Sequence, residues 1–288
     1  MNIKKLTLNS PDFPEVLRHI PSPPKQIHVM GARLGDLLKR PRVAIVGSRK
    51  MSIYGERVTR DLATKLAEQG VLIVSGLALG VDALAHEAAL DADGLCIAVL
   101  PTPLNNIVPV SNQWLADEIL KKGGALVSEY APGEIPQKQN FIARNRLMSG
   151  LAEAVLITEA EEKSGTLRTA NFALQQGREV LAVPGRIYDS GSVGTNNLLK
   201  SVEASLCTSV SDILHALKIE GHQTIAKLVK GRNAHEQSIL DLMLQGIIEG
   251  DLLLAKSGLT VSQFNQVLTM LEIGGKIRAL GANNWAIF

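Results

Sequence analysis

Residues 42–86 read RVAIVGSRKMSIYGERVTRDLATKLAEQGVLIVSGLALGVDALAH. Val43 to Val46 is a short continuous apolar run, rich in β-branched residues, as a strand buried on both faces would be. It runs directly into Gly47-Ser48-Arg49. A helix-like run from Ile53 to Gln69 follows, closed by Gly70, and a second apolar run begins at Val71. Strand, small-residue turn, helix and strand make one βαβ unit. The turn of such a unit lies at the carboxyl end of a parallel strand, where bare backbone N–H groups and a helix N-terminus favour an anion. An arginine placed there points to phosphate.

The alternation continues beyond this unit. Strand-like runs fall near residues 43–46, 71–75, 96–100, 125–128, 154–158, 179–183 and 204–208, with helical runs near 53–69, 81–91, 112–122, 141–151, 166–176 and 211–217. Gly70, Gly94, Gly123-Gly124 and Gly177 follow helices, where a left-handed cap is wanted. This is the pattern of an α/β fold with a doubly wound, mostly parallel sheet. Residues 1–41 hold six prolines and short helical pieces at Phe13–His19 and Leu34–Lys39, which suggests an arm packed on the domain at 42–217. Residues 218–232 are polar and read as a linker. Residues 233–288 read as helix, helix-turn-helix and a small hairpin wing across Gly281–Asn284, a winged helix. Its second helix, SQFNQVLTMLE, carries no Lys or Arg, so partner binding or regulation stands level with duplex binding.

Composition narrows the classes. At 288 residues the chain allows roughly two domains. Net charge is only +2, distributed as +4 over residues 1–41, −3 over 42–216, +2 over 217–230 and −1 over 231–288. No module is basic throughout, so nucleic-acid contact must come from a local patch. Cys96 and Cys207 lie in apolar runs and read as buried free thiols of a reduced compartment. The N-terminal sequence lacks an apolar signal core and no run reaches about 18 apolar residues, so a soluble cytoplasmic protein with no membrane partner is expected. Neither G-x-x-x-x-G-K-[ST] nor a G-x-G-x-x-G after the first strand is present. The six histidines lack ligand spacing, so neither metal nor cofactor is expected. Asp82 and His86, at i and i+4, read as a pair fixing their helix in preference to a catalytic couple.

Small-residue and polar loops at successive strand ends remain: Gly47-Ser48-Arg49, Ser75-Gly76 with Gly80-Val81-Asp82, Ser128-Glu129 leading to Lys138 through Phe141 and Arg144-Asn145-Arg146, Ser164-Gly165-Thr166, and Pro184-Gly185-Arg186. In an open α/β sheet these ends share one edge. Cationic side chains beside backbone donors would track phosphates there, and Phe141 offers a stacking face. Taken singly, each piece has a plainer reading: a turn, a surface ion pair, a core phenylalanine.

The segments VAIVGSR, YGERVTRDLATKLAEQGVLIVSGLALGVDALAH, SEY, NFIARNRLMSGLAEAVLITEA, SGTLRTANFALQQGREVLAVPG and SVGTNNLL, in this order, resemble the DNA-processing protein A (DprA, also called Smf) family over roughly residues 12–288. The resemblance implies a Rossmann-like domain with a C-terminal winged helix. It implies a homodimer that binds single-stranded DNA, protects incoming strands in natural transformation and helps load the RecA recombinase, without catalytic turnover. Carried over by position, Gly47, Ser48 and Arg49 would contact phosphates, Lys138 a phosphate and Phe141 a base. Arg144, Asn145 and Arg146 match the family's R-N-R element and Ser164, Gly165 and Thr166 its S-G-[ST] turn. The helices Ala170–Gln176 and Ser211–Leu217 are candidate interfaces. Two departures stand out: only the arm precedes the α/β domain, where many members carry a further helical domain, and Ile107-Val108-Pro109 replaces a common Y-P, which bears on the groove wall. The competing reading is a lysine-decarboxylase-like nucleotide phosphoribohydrolase. Its P-G-G-x-G-T-x-x-E motif would place Thr169 where the acid–base glutamate belongs, and a carboxylate is missing there.

Overall fold

A computed structural model describes residues 2–219, 231–244, 246–281 and 283–287. The chain divides into two compact units, Met1–Ile219 and Glu220–Phe288. In the first, seven strands run parallel: β3 (Arg42–Val46), β4 (Leu72–Ser75), β5 (Cys96–Leu100), β6 (Ala125–Ser128), β7 (Ala154–Ile157), β8 (Glu179–Ala182) and β9 (Ser205–Leu206). They stand in the order β6-β5-β4-β3-β7-β8-β9. The chain builds outward from β3 on one side, then returns to β7 on the other. That reversal is the switch point at which open α/β sheets hold ligands.

Strand residues alternate between two cores, as the period of two requires. Val43, Ile45, Ile73 and Ala98 face α3 (Ile53–Glu68), α4 (Val81–Asp91), α5 (Gln113–Lys121) and α9 (Val210–Ala216). Ala44, Val46, Val74, Val99 and Val155 face α6 (Lys138–Leu151), α7 (Thr166–Gln175) and α8 (Val193–Lys200), together with α1 (Glu15–Arg18) and α2 (Leu34–Leu37). Burying one Val or Ile contributes about 1.5–3 kcal/mol, so β3, apolar on both faces after Arg42, anchors both layers.

Residues 1–41 differ from the expected arm. Besides the two short helices they supply β1 (Lys4–Thr7) and β2 (Gln26–Gly31), and β2 pairs antiparallel with both β1 and β6. The segment extends the sheet, and Leu6, Phe13, Leu17, Ile27 and Val29 enter the core beneath α6. The partner of β2 lies about a hundred residues downstream, so nothing local in a proline-rich stretch announces the strand. The α8 helix was not expected either: VGTNNLLK is poor in helix formers. Gly194 N–H donates to Ala160 O at 2.8 Å and Leu198 is buried, so tertiary contacts hold it.

The second unit has its own core of Ile239, Leu240, Met243, Leu253, Phe264, Val267, Leu268, Leu271 and Ile277. These lie on α10 (Ala234–Leu244), α11 (Gly250–Ser257), α12 (Val261–Ile273) and β10 (Ile277–Gly281), which pairs antiparallel with β11 (Asn284–Ile287). Gly258 closes α11 at φ +68°, and Thr260 with Gln263 forms a reciprocal capping box opening α12. This is the winged helix. Of the expected linker 218–232, residues 220–230 lie outside the described residues. Among the described residues no helix is long and apolar enough to cross a membrane.

Candidate functional site

The loop after β3 is fixed by its own main chain. Ser48 N–H donates to Glu159 O at 2.9 Å, Ser48 O accepts from Val81 N–H at 3.1 Å, and Gly47 O accepts from the Thr166 hydroxyl at 2.9 Å. Ser48 Oγ accepts from Lys50 N–H at 3.1 Å. Two glycines make the approach of α4 feasible. A Cβ on Gly47 would lie 2.6 Å from a Val81 methyl, and one on Gly80, at φ +79°, would lie 2.3 Å from Ser48 O. The turn before α7 joins the same knot, with Ser164 Oγ accepting from Thr166 N–H at 3.2 Å. The Arg49 side chain takes no part in these bonds. It is exposed, and its guanidinium lies 5.6 Å from the centre of the Phe141 ring on α6, within cation–π range.

These elements enclose a cleft of about 480 Å³ beside the β3/β7 reversal. Of the sequence-predicted residues, Gly47, Ser48, Arg49, Phe141, Arg144, Asn145, Ser164, Gly165 and Thr166 line it. Lys138 and Arg146 do not. Lys138 is exposed in the first turn of α6, which starts three residues before the expected Phe141. Arg146 holds both oxygens of Glu129, at 2.7 and 2.6 Å, with its side chain only 12% exposed. The sequence reading missed Lys50, Ile142, Met148 and Glu161 as wall residues. Lys50 could have been found as the neighbour of Arg49, and Ile142 and Met148 by helical spacing around Arg144-Asn145. Ile107, by contrast, is buried core, and none of Ile107-Val108-Pro109 lines the cleft.

Arg144 lines the cleft but is 4% exposed, and its guanidinium donates to Gly76 O at 2.7 Å and to Val99 O. Burial pulls its pKa down to about 10, against the attraction of Asp82. Asp82 is itself buried and its pKa is raised by desolvation, partly offset by Arg144 and by the Gly76 N–H it accepts at 3.1 Å. The two side chains form an internal floor under the cleft. A Cβ at Gly76 would come within 2.3–2.6 Å of the Arg144 guanidinium atoms, so this glycine makes room for the arginine.

One expectation is corrected here. Asp82 and His86 do not pair: Asp82 turns to Gly76, while both His86 ring nitrogens are buried and, among the described residues, lack a hydrogen-bond partner of ordinary geometry. Desolvation pushes the His86 pKa down to about 3, so the ring is neutral. At the N-terminus of α3 the Glu159 carboxylate accepts from Ser52 N–H at 3.1 Å and from Ser52 Oγ at 2.5 Å. Cys96 and Cys207 are both buried free thiols, as expected. Thr169, buried, lines the cleft at the position compared with the hydrolase glutamate.

Comparison with known proteins places the chain in a family. The family model described as DNA recombination-mediator protein A matches residues 4–218, and the one described as the DprA winged helix domain matches residues 227–283. Protein Smf of Escherichia coli is 48% identical over 181 residues, 63% of this chain and 48% of that protein, so the match spans about half of the relative's length. DNA processing protein DprA of Bacillus subtilis is 38% identical over 215 residues, covering 75% of this chain and 71% of the relative. Among solved structures, DNA processing protein A of Streptococcus pneumoniae is similar with a TM-score of 0.69 at 39% identity, over 75% of this chain and 74% of that one. DNA processing protein A of Helicobacter pylori, described for its unique single-stranded DNA binding mode, is similar with a TM-score of 0.67 at 33% identity, over 76% and 96%.

Proposed function

Because this chain belongs to the DNA recombination-mediator protein A family, we propose that it binds single-stranded DNA in the cleft at the β3/β7 reversal. The observation that carries the reading is Arg49 held over Phe141 at the mouth of a cleft whose loops are already fixed. Arg49 takes a phosphate, and the backbone of Gly47-Ser48 and Ser164-Gly165-Thr166 supports the strand beside it. A base stacks on Phe141, and Lys138 meets the next phosphate along α6. Arg144 and Arg146 act from behind, one holding the floor and the other tying α6 to Glu129. The relative from Helicobacter pylori, described for binding single-stranded DNA, supports the choice of ligand.

From the same family comes the wider role we propose: a cytoplasmic homodimer that protects single strands in natural transformation and helps load RecA, acting by binding and not by turnover. The winged helix, with no Lys or Arg on α12, serves a partner or regulates access in this scheme.

Fluorescence anisotropy of a labelled oligonucleotide, single-stranded and duplex, across a salt series tests the reading. Single strands bind more tightly, and affinity falls with salt. Arg49→Ala and Lys138→Ala each weaken binding and flatten the salt slope by about one counterion's worth. Preference for duplex, or substitutions without effect, would overturn it.

A further inference from the structure

We infer that Glu159 is a specificity-determining residue: its carboxylate fills the phosphate seat at the N-terminus of α3 and closes it to external phosphate esters. In a doubly wound fold, the helix after the first parallel strand offers its N-terminal N–H groups to a ligand phosphate. Here β3 and α3 stand in that relation, and α3 is a 16-residue helix with a full dipole. The seat is taken by a side chain from the neighbouring strand. Glu159 follows the end of β7, and both its oxygens accept from Ser52 N–H at 3.1 Å. Ser52 Oγ donates to Oε2 and accepts from Gly55 N–H at 3.0 Å, so the carboxylate is coupled through one hydroxyl to the first turn of the helix.

The surroundings are shaped for that carboxylate. A Cβ on Gly55 would lie 2.3 Å from Oε2, and one on Gly191 would lie 2.9 Å from Oε1. Glu159 is 4% exposed, so there is no room for a second anion. Its main-chain oxygen meanwhile accepts from Ser48 N–H, on the loop that carries Arg49. One residue therefore holds the loop with its backbone and closes the α3 seat with its side chain, leaving the adjoining cleft lined by Arg49 open to anions. This holds whether or not that cleft takes single-stranded DNA.

The test uses the full chain. Glu159→Ala removes four heavy atoms, the shape of acetate, and uncovers the donors. Thermal unfolding is followed in chloride, phosphate and acetate at matched ionic strength, and the quantity read is each variant's shift relative to wild type, which removes the general salting effect. Glu159→Ala is expected to melt lower in chloride and to regain about 3 °C or more over wild type in phosphate at ten times its dissociation constant. Glu159→Gln keeps the seat filled and is expected to show no phosphate gain. If Glu159→Ala does not fold in chloride, phosphate is expected to restore folding, read by circular dichroism. Equal phosphate responses in wild type and both variants, rescue by acetate without rescue by phosphate, or an unfolded Glu159→Ala that phosphate leaves unfolded, would each overturn the inference.

Discussion

Arg144 and Arg146 stand two positions apart on α6 and point their charges to opposite ends, Arg144 into the sheet against Gly76 and Val99, Arg146 outward to Glu129. Residues at i and i+2 do not share a helix face. Arg146→Ala leaves Glu129 half-buried and unpaired and is expected to cost about 1–3 kcal/mol in urea unfolding, while the salt slope of DNA binding stays that of wild type. Phe141→Ala removes both the base stack and the ring under Arg49, so affinity for single strands is expected to fall by roughly 1–3 kcal/mol with little change of slope. His86 gives a pH signature. Its folded-state pKa, about 3, lies below the ordinary 6.5, so the unfolded chain binds the extra proton between those values and stability falls as pH drops from 6.5 toward 3. His86→Leu is expected to remove a slope of about 1.4 kcal/mol per pH unit, read as the difference between the two proteins' unfolding curves across that range. At this scale the sequence disclosed residue types and missed their directions. Gly47-Ser48-Arg49 was legible because a small-residue turn after a buried strand has few uses. The distinction between Arg144 and Arg146 was not, because it depends on which carbonyl lies within reach of each.

The interlocked turns after β3 and β4 form a unit whose tolerance is set by backbone, not by side chains. Gly80→Ala would place a methyl against Ser48 O at a positive φ, and no rotamer relieves a clash with main chain. It is expected to destabilise the chain by more than about 2 kcal/mol and to weaken binding of single strands with it, as the loop bearing Arg49 is pushed aside. Urea unfolding and anisotropy on the same preparation check both parts. Every central parallel strand was legible, because a run buried on both faces is continuous in sequence. The antiparallel strands β1 and β2 and the helix α8 were not. β2 depends on a partner a hundred residues away, and α8 on the docking of Gly194 beneath Ala160.

In the molecule as a whole, residues 1–41 are part of the first unit's core. A chain beginning at Arg42 would uncover the edge of β6 and remove Phe13, Leu17, Ile27 and Val29 from the layer under α6. It is expected to be recovered mainly as aggregate on size-exclusion chromatography, whereas truncation after Ile219 leaves the first unit's core complete and is expected to stay soluble. The place of β2 also bears on how the protein is made. His28 pairs with Ser128, 100 positions later in the chain. At about 5–20 residues per second of synthesis, β2 waits roughly 5–20 s at the ribosome before its second neighbour exists. The earliest strands to emerge are therefore completed late, and a nascent chain stalled before Ala125 carries Ile27 and Val29 on an open β edge, the surface that holding chaperones recognise and that mispairs when they are absent.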